Sequence, residues 1–409
     1  GQRGRAGLTG RKNLRKIALL LLTALVLTLP CGCWSRKELS ELAIVLGAGV
    51  DRTPDNKVQI TLQLARPAAF GGGAEAGGGN APKQNVVWVV SETGSTIFDA
   101  ERNLALKVSR QIYWGHNVIL VYGEEMARGG VRDASNFFMR NPQPRETTWV
   151  LVAKGEAKKL LESHSELEKT SAQSVGFLAR NRAGFSIMLK DFQMALASRG
   201  TNPAAPRVEL QKLGQPQGPG MEDKLQHEEI AVTGTAVFKD DRLAGWLDPF
   251  ETRGLLWLRG EVKRGIITIP SPGQPDKLIS LNIIRGSTRV DPEYDGENIR
   301  LNVEITFEGD LLEQQSLEDL TTPEKIAAIE EAAAGIIFNK CADTLRKAQG
   351  EYGTDVFNFG EAFHRKYKKE WRELQGRWNE EFARAALDIA VEAHIRRSGI
   401  LTRRASEKK

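Results

Sequence analysis

Residues 17–29 read IALLLLTALVLTL, a thirteen-residue apolar run preceded by Arg3, Arg5, Arg11, Lys12, Arg15 and Lys16 with no acidic side chain among them. A helix needs about 17–25 apolar residues to cross a hydrocarbon core, so this run is too short for a comfortable span. A basic stretch followed by a short apolar one is the order of a secretory signal. The rest of the chain is therefore expected to fold as a soluble body outside the cytoplasm, and residues 1–32 to be removed as a signal peptide.

The run ends in Leu29-Pro30-Cys31-Gly32-Cys33-Trp34 instead of a small-residue A-x-A site. A small residue directly before a cysteine, just after the apolar segment, resembles the bacterial lipobox. There the thiol receives a diacylglyceryl group and the cysteine becomes the mature N terminus. Cys33 fits, with Gly32 before it, whereas Pro30 precedes Cys31. Two acyl chains hold a protein stably on a membrane where one binds only marginally. The alternatives are an ordinary signal peptide with two incidental cysteines, or an uncleaved anchor.

Export changes the meaning of the charge. The whole chain is formally +5, but residues 1–32 hold six of its basic residues and no acidic one. Without them 51 Lys and Arg face 52 Asp and Glu. A nucleic-acid partner is not expected of a body this close to neutral. Arg396, Arg397, Arg403, Arg404, Lys408 and Lys409 form a basic end, read as a solvated tail (401–409) with weak attraction for anionic lipid.

The expected organisation is α+β, with about three mixed domains. Residues 33–200 form an N-terminal α+β domain, 201–228 a linker and 229–400 a C-terminal region, with possible subdomains at 229–310 and 311–400. In the first domain, apolar or alternating runs at 42–51, 58–65, 86–91, 116–121 and 149–153 read as strands. Ile97, Ala100, Leu104 and Val108 fall on one helical face, and helices are expected near 124–128 and around Phe137. The GGGAEAGGG loop at 71–79 matches no phosphate-binding pattern and reads as a flexible linker. Residues 201–228, rich in Pro, Gly and Gln, read as a boundary.

Beyond it, strands are expected at 230–238, 243–247, 266–269, 278–285 and 299–307, with a hairpin turn at 239–242. A helix over 323–349 would be capped by Thr321 or Thr322, carry Pro323 in its first turn and stop at Gly350. Shorter helices follow around 355–368 and 369–378. Leu387, Ile389, Val391, Ala393 and Ile395 alternate with polar residues, which favours a closing strand that pairs back into the sheet of 278–285 and 299–307.

No catalytic or metal-binding pattern is present. The five histidines are scattered, with no HExxH, GxSxG or paired CxxC. His116 has no nucleophile or acid beside it in the sequence and reads as a packed, hydrogen-bonded histidine at a strand start. Cys341, alone in a helical pattern, reads as a buried apolar residue. No cofactor, metal site or catalytic residue is expected, and Cys33 is the one assignable site, for lipidation.

Several blocks resemble one known family in order along the chain. They are Gly32-Cys33-Trp34-Ser35 with Gly49-Val50-Asp51, Gly94-Ser95-Thr96-Ile97-Phe98-Asp99-Ala100, and Tyr113-Trp114-Gly115-His116-Asn117. Further on come Gly234-Thr235-Ala236-Val237-Phe238-Lys239, Glu251-Thr252-Arg253-Gly254, and Asp355-Val356-Phe357-Asn358-Phe359-Gly360 with His364-Arg365 and Trp371. Together they resemble the Ger(x)C spore germination lipoproteins; Asn358 stands where the family commonly has glycine. The resemblance implies a non-enzymatic C subunit of a nutrient germinant receptor, lipid-anchored on the outer face of the spore inner membrane. Its partners would be membrane-embedded A and B subunits. A solute-binding lipoprotein of an importer, with two similar lobes around a cleft, is the alternative.

Overall fold

The computed structural model describes residues 17–20, 38–66, 86–181, 184–212 and 228–397. Cys33, the 71–79 glycine loop and the 401–409 tail lie outside the described residues. The chain divides into two units, 1–42 and 43–409. In the first, residues 17–20 are helical and exposed, and Leu39–Glu41 is a single 3-10 turn. No helix among the described residues is long and apolar enough to cross a membrane.

The second unit starts in β1 (Leu42–Arg52), followed by β2 (Val58–Ala65), β3 (Val87–Gly94), α1 (Ile97–Ala105), β4 (Gln111–Tyr113) and β5 (Ile119–Tyr122). Then come α2 (Glu124–Gly129), α3 (Arg132–Arg140), β6 (Trp149–Ala153), α4 (Ala157–Glu162), α5 (Ser171–Asn181), β7 (Ile187–Met188), α6 (Leu189–Ala197) and β8 (Ala204–Lys212). With β9 (Glu228–Lys239) and β10 (Arg242–Leu247) these strands make one ten-stranded sheet, ordered β10-β9-β8-β6-β5-β1-β2-β3. β4 pairs with β1, and β7 with β6. The middle is parallel, β1 to β5 to β6 to β8, while both flanks are antiparallel.

The parallel centre follows from its residues. All five side chains of β6 (WVLVA) are buried, as a strand covered on both faces requires. In β5, Leu120 and Tyr122 join one core with Ile97, Met126 and Phe138, while Ile119 and Val121 join a second with Leu161, Ala172 and Val175. α1 to α3 and α6 therefore cover one face, and α4 and α5 the other. The stretch expected to be irregular at 201–228 begins with β8, whose Ala204 and Ala205 enter the first core and Val208 the second. The prolines at 203 and 206 hide the strand from a reading that treats Pro as a breaker.

The remaining chain adds α7 (Pro249–Leu258), β11 (Ile266–Ser271), β12 (Gln274–Tyr294), β13 (Ile299–Gln314), α8 (Pro323–Arg346), α9 (Phe359–Lys366), α10 (Lys368–Leu374), α11 (Trp378–Arg384) and β14 (Ala386–Arg397). A second, four-stranded sheet runs β11-β12-β13-β14. The closing strand pairs with β13, in parallel register from Arg300 with Ala386 onward. The fold is mixed α and β, with the strand-rich second half, long helix and final strand anticipated.

Three expectations need correction. β12 runs to Tyr294, well past residue 285, although Pro292 lies within it. The Tyr294 N–H turns away from β13 to the Tyr367 hydroxyl, 3.2 Å, so the imino nitrogen two residues earlier faces the same side and costs no ladder bond. The long helix does not stop at Gly350. It runs on through a π-helical turn, Lys347–Tyr352, and ends at Gly353 in the left-handed region (φ 56°). Finally, His116 is exposed in a turn before β5, edge-on to Tyr113 at 6.1 Å. Thr322, by contrast, accepts from the Lys325 N–H and caps α8 as its sequence suggests.

Candidate functional site

The residues that tie the two sheets together converge on Asp355, in the loop between α8 and α9. Its carboxylate is fully buried. One oxygen accepts from the Phe357 N–H at 2.8 Å; the other accepts from the Gly360 N–H at 2.8 Å and the Trp378 indole N–H at 2.9 Å. Burial pushes its pKa above the usual carboxylate range, and these donors pull against that shift. Asn358, inside the loop the carboxylate closes, sits at φ 68°. That left-handed conformation is natural for glycine and tolerated by asparagine, which explains the residue found at this place in the motif.

The same loop is stitched to the ten-stranded sheet. Asn202, just before β8, donates its N–H to the Asp355 carbonyl at 2.7 Å, and its side chain reaches Asn379 and the Asp240 N–H, each at 2.8 Å. Thr354 donates to the Phe238 carbonyl at 2.9 Å, and Tyr352 to the Trp246 carbonyl at 2.9 Å. The backbones at Gly200 and Gly360 touch so closely that a Cβ on Gly360 would lie 2.5 Å from the Gly200 oxygen. A side chain at either position would force the two halves apart.

Two clefts flank this contact and share Ser198, Thr201 and Asn202 on their walls. The larger, about 610 Å³, lies between α6 and α9 and is reached by Asp191, Met194, Lys263, Glu361 and Arg365. The smaller, about 510 Å³, opens between Arg132 and Gln375 to Glu380. In the larger cleft Glu361 accepts from Ser198 at 2.6 Å, and Arg259 is held by Glu261 at 2.9 Å and the Val356 carbonyl at 2.8 Å. Those groups build the wall. Asp191, Lys263 and Arg365 are exposed at its mouth, which gives the cleft a mixed-charge rim.

A second buried carboxylate organises the far end of the sheet. Asp51, at the end of β1, accepts from the Ala157 and Lys158 N–H groups at 2.8 and 2.9 Å and so starts α4. Burial raises its pKa, and the two N–H donors oppose the rise.

Cys33, the expected lipidation site, lies outside the described residues. Cys341 is buried, its thiol against the Gly254 carbonyl, and burial pushes its pKa up to about 12. Among the described residues no three His, Cys, Asp or Glu side chains gather as a metal site. The motif 355–360 and Asp51 were visible in the sequence as family blocks, but their partners were not. Gly200 and Asn202 lie more than 150 residues from Asp355, and no local pattern announces such a contact.

Two family profiles match the chain. The spore germination protein N-terminal domain matches residues 35–210, and the domain described as spore germination B3/GerAC like, C-terminal, matches 233–399. Spore germination protein KC of Bacillus subtilis is 28% identical over 94% of this chain and 96% of its own length. Spore germination protein B3 of the same organism is 22% identical over 91% of this chain and 94% of its own. The crystal structure of the GerBC protein shares the fold, with a TM-score of 0.51 at 18% identity over 85% of this chain and 96% of that one.

Proposed function

The chain belongs to the GerAC-like spore germination proteins, and on that premise we propose that it is the lipid-anchored C subunit of a nutrient germinant receptor. It acts without catalysis, on the outer face of the spore inner membrane, held through Cys33 beside membrane-embedded A and B subunits. The observation that carries this reading is the co-linear match: relatives with germination names align across more than nine-tenths of the chain, through both sheets and the loop that joins them. The interlocked Asp355 junction supports it further, because a body whose halves are stitched together suits a fixed scaffold between partners. A solute-binding protein that closes two lobes around a ligand would need those halves to move.

Deleting the gene in its host is expected to slow nutrient-triggered dipicolinate release while leaving germination by exogenous dipicolinate intact. Unchanged nutrient germination in a strain without paralogous receptors refutes the role. Cys33→Ala is expected to abolish acyl labelling and release the protein from membranes. Labelling that persists in this variant refutes Cys33 as the anchor.

A further inference from the structure

The outermost strand of a sheet presents unpaired N–H and C=O groups along its edge, and folded proteins blunt such edges with prolines, charges, bulges or covering side chains. Among the described residues the strand paths of the two sheets end at β10, β3, β11 and β14, and three of these are blunted. Along β10 the Tyr352 hydroxyl accepts from the Trp246 N–H at 3.1 Å and donates to the Trp246 carbonyl at 2.9 Å. β11 is six residues long and carries Pro270. β14 exposes Asp388, Glu392 and Arg396 along its length, and Glu330 accepts from the Ile395 N–H at 2.8 Å.

β3 is the fourth. The Arg66 N–H donates to the Val86 carbonyl at 2.9 Å, and the β2–β3 register runs without a bulge from Ala65 opposite Val87 to Val58 opposite Gly94. Opposed residues in an antiparallel pair alternate between bonded and non-bonded. Val86, Trp88, Val90, Glu92 and Gly94 therefore bond β2, while Val87, Val89, Ser91 and Thr93 turn their N–H and C=O groups to the free edge. Thr93 is closed off locally: its N–H donates to the Glu92 carboxylate at 3.2 Å, and its carbonyl accepts from the Asn103 amide at 3.0 Å. Val87, Val89 and Ser91 keep six outward main-chain groups with no partner among the described residues. The strand holds no Pro, Lys or Arg, and its one charged residue, Glu92, lies at the closed end and pairs with Lys107. Trp88 is 41% exposed beside the open part.

We propose that β3 pairs with β3 of a second copy of this chain, antiparallel and two-fold symmetric about Val89, which joins the two ten-stranded sheets into one. The open groups fix the register. With Val89 opposite itself, Val87 faces Ser91 of the second copy and Ser91 faces its Val87, so all six groups on each edge are bonded. Centring the pair on Trp88 sets Ser91 against residue 85, before the strand begins. Centring it on Val90 sets Val87 against Thr93, whose groups are already taken. In the Val89 register Trp88 lies across a non-bonded position from the second copy's Val90, twice over, an aromatic and β-branched pair of the kind that stabilises antiparallel strands. Glu92 faces Val86, so no like charges meet. An edge complementary to itself in donors, acceptors and side chains fits a copy of itself, as a closed two-fold pair requires. The pairing depends on neither the lipid anchor nor the receptor role.

The test is hydrogen exchange at single amides of the full chain in detergent, with its sedimentation mass, from about 1 μM to about 1 mM. A one-strand interface is small, so its dissociation constant is expected on the order of 100 μM. The Val87, Val89 and Ser91 amides should slow about five-fold as the mass doubles, while the Ile60 and Leu62 amides stay unchanged and report an intact β2–β3 ladder. Val89→Pro removes the central outward N–H without touching a bond to β2, and should leave a monomer at every concentration. Trp88→Lys, which keeps the backbone, should weaken the pair about ten-fold. The W88C/V90C variant places thiols across the two-fold, and oxidation should give a covalent dimer that W88C alone does not. A chain that stays monomeric at about 1 mM with the three amides exchanging freely overturns the proposal. So does a dimer that forms equally in the Val89→Pro and Trp88→Lys variants. Protection of the three amides in the monomer assigns the edge to a segment of the same chain, and protection that needs added membrane subunits assigns it to another protein; either result overturns the pairing.

Discussion

Asp51 and Asp355 are both buried aspartates in family blocks, both accept main-chain N–H groups, and burial raises the pKa of each. They do different work. Asp51 bridges β1 to the first turn of a six-residue helix and serves one corner of one sheet. Asp355 accepts an indole N–H as well, and its own backbone carbonyl is held by Asn202 from the other sheet. One carboxylate starts an element, the other joins two bodies. Where the donors come from decides how far the loss of the acceptor spreads.

The largest effect is therefore expected at Asp355. Asp355→Ala strands three buried donors and should cost about 3–5 kcal/mol, read as a loss of cooperativity between the sheets in denaturant melts. Asp355→Asn separates charge from geometry. A carboxyl whose folded pKa lies above its unfolded value of 3.8 contributes most stability below that unfolded value and loses it as pH rises through the folded pKa. Wild type should accordingly gain on Asp355→Asn as the pH is lowered from 7 to 4. A stability difference that does not change with pH would mean the carboxyl titrates alike folded and unfolded, against its burial.

Asp51→Ala comes next, at about 2 kcal/mol for two stranded donors. Its signature should be local: faster hydrogen exchange in α4, with the Asp355 junction unchanged. Exchange that accelerates across both sheets would erase the distinction between the two carboxylates.

That distinction also marks what the sequence could disclose. Periodicity located β2 and β6 to the residue. β6 is wholly apolar because both its faces are covered. The alternation of β2 suggests a half-buried strand, whereas the structure buries Thr61 and Gln63 as well, Gln63 donating to the Leu161 carbonyl and the Ser171 hydroxyl. β14 was recognisable from its alternation, and Thr322 because a cap and its helix are neighbours. The Asp355 junction was visible only as a motif. Its geometry depends on Gly200 and Asn202, residues set in a Pro-rich stretch whose strand no local pattern reveals. His116 was misplaced because the turn before β5 is shaped by the Trp114 carbonyl accepting from the Asn117 N–H, which hydropathy does not encode. Cys33, the proposed anchor, is read only from the apolar run before it.

The smallest predicted effect is the sharpest test of why the junction loop has its shape. Asn358 holds φ 68° while the Asp355 carboxylate closes the loop around it through the Phe357 and Gly360 N–H groups. Two terms oppose in Asn358→Gly: release of left-handed strain, about 1 kcal/mol for a side chain there, and the extra unfolded-chain entropy of glycine, about 0.5–1 kcal/mol. The net should be near zero, whereas Asn358→Ala, which keeps the strain and loses the tolerant amide, should cost about 1 kcal/mol. If alanine is as stable as glycine, the loop relaxes out of the left-handed region, and the carboxylate alone then holds the two sheets in register. If alanine costs as much as Asp355→Ala, backbone conformation and carboxylate are one cooperative unit, and the contrast between Asp355 and Asp51 widens from the number of donors to the strain each one secures.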